Sequence, residues 1–194
     1  MSGQLSFLDL VEPAEPVDQL FFAILPDAAA AGEMSRLAQR LCGEHRLRAR
    51  PLAAERFHVT LFPLGSYAGV PSHIVAMATE AAGSLAAPPF RVTFDSAMSF
   101  SRNAGKKPLV LQGGEGLAAL LEFRAQLALA MAKAGFGGLS KSKYTPHVTL
   151  LYDEHAVAEQ AVPPIGWTVS ELVLVHSLVG LTRHERLGTW PLKA

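Results

Sequence analysis

The sequence predicts an α+β fold built from two similar lobes. Three observations predict it. The tetrapeptide His-Val-Thr-Leu occurs twice, at 58–61 and 147–150. Each copy begins 38 residues after the start of an apolar, strand-like run, at Leu20 and at Leu109. Each interval reads strand, helix, loop, strand. The halves are therefore offset by 89 residues, as an internal duplication requires, and duplicated lobes place equivalent residues across an approximate two-fold axis. Strands and helices in this order favour sheets flanked by helices.

Composition sets the bounds. A chain of 194 residues with 49% hydrophobic and 18% charged residues can bury a sizeable core and is not globally disordered. Its length suits one domain, or one domain of two lobes. Formal net charge is zero, so nucleic-acid binding would rest on local patches rather than a global basic field. The single cysteine, Cys42, excludes an intrachain disulfide and reads as a small apolar filler in a helix, which fits a reducing compartment. Residues 1–17 lack a basic start followed by an apolar run, so they read as a flexible leader rather than a signal peptide. No run is long and apolar enough to span a bilayer. A cytoplasmic location is the expectation, with a single bilobal domain over 18–194.

Order begins near Asp18, after Pro13 and Pro16. Leu20–Leu25 has strand character. Pro26-Asp27 opens a helix to about Cys42, with Met34, Leu37 and Leu41 at helical spacing. Arg46 to Pro51 is basic and extended, and Phe57–Phe62 is a strand ended by Pro63 and Gly65. A helix follows over Ser72–Leu85, then a strand at Phe90–Asp95. In the second half, a strand at Leu109–Gln112 precedes a helix from Gly116 to Ala134, stopped by glycines at 135, 137 and 138. The strand His147–Leu151 follows a loop with Lys141 and Lys143. A strand at Trp167–Val175 and a ribbon of Ser177–Leu181 with Thr189–Leu192 complete the reading.

The repeated tetrapeptide carries the chemistry. Side chains alternate along a strand, so His58, Thr60 and Phe62 share one face, and Phe57, Val59 and Leu61 the other. In the second copy His147, Thr149 and Leu151 share one face, with Val148, Leu150 and Tyr152 opposite. His and Thr then stand roughly 7 Å apart along each strand, over an apolar face that anchors in a core. One such histidine is ordinarily a satisfied polar residue. Two in equivalent places frame a cleft with two imidazoles and two hydroxyls. Imidazoles exchange protons near neutral pH, one with attacking water and one with a leaving oxygen. The hydroxyls can donate to phosphoryl oxygens, and the scheme requires no metal and no cofactor.

His58-Val-Thr60-Leu61 and His147-Val-Thr149-Leu150 resemble the paired His-x-Thr-x signatures of the 2H phosphoesterase superfamily. Within it the chain is similar to bacterial RNA 2′,3′-cyclic phosphodiesterases, also called 2′-5′ RNA ligases. The similarity runs over about residues 19–193 and includes LFFAIL-P, RFHVTLFPLG, KYTPHVTLLYD, LVLVHS and LGTWPL. The resemblance implies two antiparallel sheets facing across a central cleft, with helices on the outer faces. It implies hydrolysis of 2′,3′-cyclic phosphates to 2′-phosphomonoesters, with His58 as proton donor, His147 as proton acceptor, and Thr60 and Thr149 on the phosphate. The ligands it implies are RNA ends or cyclic nucleotides, with no membrane and no obligate protein partner. Some relatives carry a basic residue just after the second motif, where this chain has Tyr152. A related enzyme on another cyclic phosphate or a 2′-5′ linkage, reverse ligation, and a non-catalytic RNA-end-binding module are the alternatives.

Around the motifs, Arg46, Arg48, Arg50 and Arg56 precede the first copy, and Lys141 and Lys143 the second; Arg102, Lys106 and Lys107 lie in another loop. They read either as RNA-steering groups or as ordinary solvated charge. Tyr144, Lys143 and Arg102 are the candidate RNA contacts. Phe62 and Phe100 read as core before base-stacking residues. His45, His73, His155, His176 and His184 lack matching partners and read as surface or structural. His147, Asp153 and His155 span too far along a strand to converge on a metal.

Overall fold

The computed structural model describes residues 18–100, 105–137, 144–178, 180–181 and 183–193. Residues 1–17, read as a leader, and the candidate contacts Arg102 and Lys143 lie outside them, as does Lys141. In chain order the elements are β1 (Asp18–Ile24), α1 (Ala28–Glu44), β2 (Val59–Tyr67), α2 (Ser72–Gly83), β3 (Phe90–Ser99), β4 (Lys107–Gln112), α3 (Ala118–Lys133), β5 (His147–Asp153), β6 (Gln160–Val169), β7 (Glu171–Leu178) and β8 (Arg183–Pro191). They form two four-stranded sheets, β2-β1-β7-β8 and β5-β4-β3-β6, with all neighbours antiparallel. Each half supplies a motif strand at one edge and the apolar strand beside it, so the 89-residue offset is a structural one: β1 corresponds to β4, and β2 to β5.

Local chemistry starts and stops the helices. Asp27 caps α1 by accepting the backbone N–H of Ala30 at 2.8 Å. Met34, Leu37 and Leu41 are buried as their spacing requires, and Leu120, Phe123, Leu127 and Met131 do the same for α3. Gly135 ends α3 with φ of 89°. A 3-10 turn at Glu115–Leu117 precedes α3 and presses on β3: a Cβ on Gly116 would come within 2.8 Å of Thr93 Cβ. The helix-facing sides of both sheets and the three helices close one continuous core, from Phe22 and Leu61 to Val148 and Trp167. A smaller cluster of Phe21, Ala23, Val173 and Val175 lies on the opposite side of the first sheet.

Two expectations fail in the C-terminal third. The strand expected at Trp167–Val175 is two strands, β6 and β7, broken at Ser170 where the chain passes from one sheet to the other. The alternation continues through the break, so nothing local marks it. The expected ribbon is longer, Glu171–Leu178 with Arg183–Pro191. Pro163 and Pro164 lie inside β6 rather than before a strand; β6 is an edge strand and its pairing slips register between Ala161 and Ile165, which accommodates both prolines.

Alternation also fails inside each motif strand. In β2, Phe22 pairs with Phe62 and Ala23 with Thr60, leaving Leu61 outside the register. In β5, Leu109 pairs with Leu151 and Val110 with Thr149, leaving Leu150 outside. Leu61 and Leu150 are equivalent bulges, 89 residues apart. Beyond each bulge the faces exchange. Phe62 and Leu151, placed by simple alternation beside the histidines, are buried in the core. Pro63 and Tyr152 turn instead toward the side of the sheet that carries the motif residues.

Candidate active site

The first motif sits on the face of the small apolar cluster. Thr60 pairs with Ala23, so both project from the same side of the sheet, and the Phe21 ring stacks on His58 at 5.0 Å between centroids. The second motif sits on the corresponding face, with His147 opposite Gln112 and Thr149 opposite Val110. His58, Thr60, His147 and Thr149 are each half-buried, while their neighbours Val59, Leu61, Val148 and Leu150 are buried. The polar pair and its apolar anchor are thus separated by face in both copies.

Both histidines are held in the same way. His58 Nδ1 lies 2.8 Å from the carbonyl oxygen of Arg56, and His147 Nδ1 lies 2.8 Å from that of Thr145. A carbonyl only accepts, so each Nδ1 bears the proton and each Nε2 is the free ring nitrogen. In a neutral ring that Nε2 can take a proton; in a charged ring it can give one. Burial lowers the proton affinity of His58; its bond to the Arg56 carbonyl opposes this, and the charges of His147 and Arg56 add to the lowering. The two imidazoles therefore sense one another across the contact between β2 and β5.

A pocket of about 370 Å³ opens on His58 and Thr60 and is completed by Phe21, Pro63, Tyr152 and His184. Tyr152, from the second motif strand, thus stands beside the residues of the first. Phe100 meets the His147 ring edge-on at 4.9 Å, beside the motif rather than in the core.

Each half also braces the other's motif strand. Tyr144 donates its hydroxyl to the Thr60 carbonyl at 2.7 Å, and the Arg124 guanidinium covers its ring at 3.6 Å. Burial pushes the Tyr144 hydroxyl up to about 12, with Arg124 opposing. Tyr144, a candidate RNA contact, gives its hydroxyl to the Thr60 carbonyl and so helps to position that strand. In the other direction, Asp153 accepts the backbone N–H groups of Arg48 at 2.8 Å and Ala49 at 2.7 Å, just upstream of the first motif. Burial alone would raise this carboxyl; the N–H groups of His155, Ala49 and Arg48 outweigh it and hold it well below the usual carboxylate range. Among the described residues no group of three or more His, Cys, Asp or Glu is gathered as a metal ion would need.

His184 was invisible to motif reasoning. It stands edge-on to His58 at 5.2 Å and to Phe21 at 5.9 Å, and burial, with the charges of His58 and Arg56, lowers it to about 4. Only the pairing of β8 with β7, which sets it opposite Ser177, brings it there. His176 is buried on the other face between Asp18 and Glu185, a structural place as expected.

A duplicated α+β fold with one His-x-Thr strand per half defines a two-histidine phosphoesterase architecture. The family model described as the 2′-5′ RNA ligase superfamily matches residues 25–180, and the chain belongs to that superfamily. Among solved structures, apo Escherichia coli LigT is 26% identical over 92% of this chain and 99% of its own, with a TM-score of 0.72. LigT complexed with 3′-AMP is 28% identical over the same shares, with a TM-score of 0.65. The TT0787 protein of Thermus thermophilus, 20% identical over 91% of this chain and 98% of its own, shares the fold at a TM-score of 0.66. Comparison with curated proteins finds no match. No helix among the described residues is long and apolar enough to cross a membrane.

Proposed function

We propose that the protein hydrolyses 2′,3′-cyclic phosphates on RNA ends or nucleotides to 2′-phosphomonoesters. The observation that carries this reading is the matched pair of imidazoles, each with Nδ1 held by a carbonyl two residues upstream and Nε2 left free. His147 Nε2 takes a proton from water as its oxygen attacks phosphorus. The bond from phosphorus to the 3′ oxygen breaks, and His58 Nε2 gives that oxygen its proton. Thr60 and Thr149 donate to the non-bridging oxygens, where charge accumulates. An anionic phosphate beside His58 favours its charged form, which offsets burial. The nucleotide bound by LigT supports a nucleotide-sized substrate. With a 5′ hydroxyl in place of water as the attacking oxygen, the same groups can open the cyclic phosphate to form a 2′-5′ linkage, His147 taking the hydroxyl proton and His58 giving one to the leaving 3′ oxygen.

A second reading exchanges the two histidines. The lowered proton affinity of His58 in the free protein favours it as the base. The test of the activity is incubation with a 2′,3′-cyclic nucleotide, with and without a chelator, followed by identification of the product. A 2′-phosphate formed equally with chelator supports the proposal. No turnover, or a 3′-phosphate product, overturns it.

A further inference from the structure

The Arg56 side chain has no part in the scheme above. Its carbonyl holds His58, and the residue stands in a wall shared by two pockets. One is the pocket of His58 and Thr60. The other, about 380 Å³, is bounded by Leu25, Pro26, Ala54, Phe57 and Val175, with His184 as the second shared residue. Arg56 Nε is buried without a hydrogen-bond partner, and the side chain has no ion pair among the described residues. The other arginines of the outer pocket are compensated: Arg183 lies 2.8 Å from Glu185, and Arg186 3.2 Å from Glu171. A guanidinium charge kept partly from water with no carboxylate partner is costly, and a phosphate oxygen on its terminal N–H groups offsets that cost with a charge-assisted bond.

We propose that the outer pocket is a second nucleotide subsite, which takes the neighbouring nucleoside of an RNA end and seats the connecting phosphate on Arg56. The inference rests on the RNA-end reading above. The His184 ring, 5.2 Å from that of His58, places the shared wall within one ring's width of the candidate acid. Leu25, Pro26 and Val175 give a base an apolar floor, and the exposed Glu55 carboxylate can accept from an exocyclic amino group. The volume lies at the lower end of small-ligand sites, roughly 300–1,000 Å³, which suits one nucleotide rather than several.

The test compares kcat/KM for a dinucleotide ending in a 2′,3′-cyclic phosphate with that for the cyclic mononucleotide. It is made in the natural protein, in Ala54→Trp and in Arg56→Ala. Ala54 lines only the outer of the two pockets, so a tryptophan there fills it from the outer side. The natural protein is expected to favour the dinucleotide on the order of tenfold, the worth of one stacked base. In both variants the ratio should fall toward one. A ratio near one in the natural protein, or a preference that survives both substitutions, overturns the subsite. If neither substrate turns over, the hydrolytic reading fails, and calorimetry with di- and mononucleotide 3′-monophosphates decides the subsite separately. Tighter dinucleotide binding that both variants abolish supports it; equal affinities overturn it.

Discussion

Leu61 and Leu150 are the same bulge built twice, and each gives its carbonyl to the other half of the chain. The Leu61 oxygen accepts from Arg124 Nε at 3.0 Å, and the Leu150 oxygen from the backbone N–H of Leu52 at 2.8 Å. A bulged residue falls out of its ladder, and a buried carbonyl left unpaired is costly. The duplication meets that cost reciprocally, which fixes the two histidine strands relative to each other.

Arg124→Met should therefore destabilise the protein by roughly 1–3 kcal/mol, because it orphans the Leu61 carbonyl and uncovers Tyr144. Tyr144→Phe removes the neighbouring bond to Thr60. A hydroxyl pushed up to about 12 stays protonated, and so keeps donating, throughout the usable pH range. The two residues touch, so a double-mutant cycle from urea midpoints should give a coupling of at least about 0.5 kcal/mol. Strict additivity would show that Arg124 and Tyr144 brace β2 independently.

Asp153 holds the loop that feeds the first motif. Asp153→Ala leaves the N–H groups of Arg48 and Ala49 without their acceptor and should cost about 3 kcal/mol. Its folded pKa is depressed, so the stabilisation is full above the unfolded value of about 4 and is lost as pH falls toward the folded value. Denaturation curves of the natural protein and the variant should converge in acid. Curves that stay parallel down to about pH 3 would remove Asp153 from this role.

Much of the fold was legible because the duplication doubled a weak signal. Two copies of His-Val-Thr-Leu at one spacing located β1, β2, β4 and β5 and the helices between them. Periodicity failed where the chain departs from regular pairing. It assigned Phe62 and Tyr152 to the wrong faces, because a bulge shifts every later side chain without changing composition. His184 was unreadable for a different reason. It stands beside His58 through strand pairing, which no local pattern encodes.

The two histidines should separate by leaving group. If His58 is the acid, a substrate with sulfur in place of the 3′ oxygen needs little protonation, so it should restore most of the turnover lost in His58→Ala. It should not rescue His147→Ala. Each substitution is expected to cost about 10²–10⁴-fold on the natural substrate. The kcat/KM profile should be bell-shaped, with one limb on the acid side of an ordinary histidine because burial lowers His58. Rescue of His147→Ala instead would assign the acid to His147.

His184 makes acid stability a reporter of the site itself. Its folded value of about 4 lies below the ordinary histidine value of about 6.5. Between these, the unfolded chain binds a proton that the folded chain does not, so stability falls as pH drops from about 6.5 toward 4 and levels off below. One such proton contributes at most about 1.4 kcal/mol per pH unit, and less here because half of the ring faces solvent, which screens the shift. His184→Phe keeps a ring against Phe21 and His58 but removes the titration. Its thermal midpoint should gain on that of the natural protein steadily across this window and match its trend above about pH 7. If the difference between the two proteins stays constant with pH, His184 is not the neutral, half-buried imidazole that its contacts with Phe21 and His58 favour.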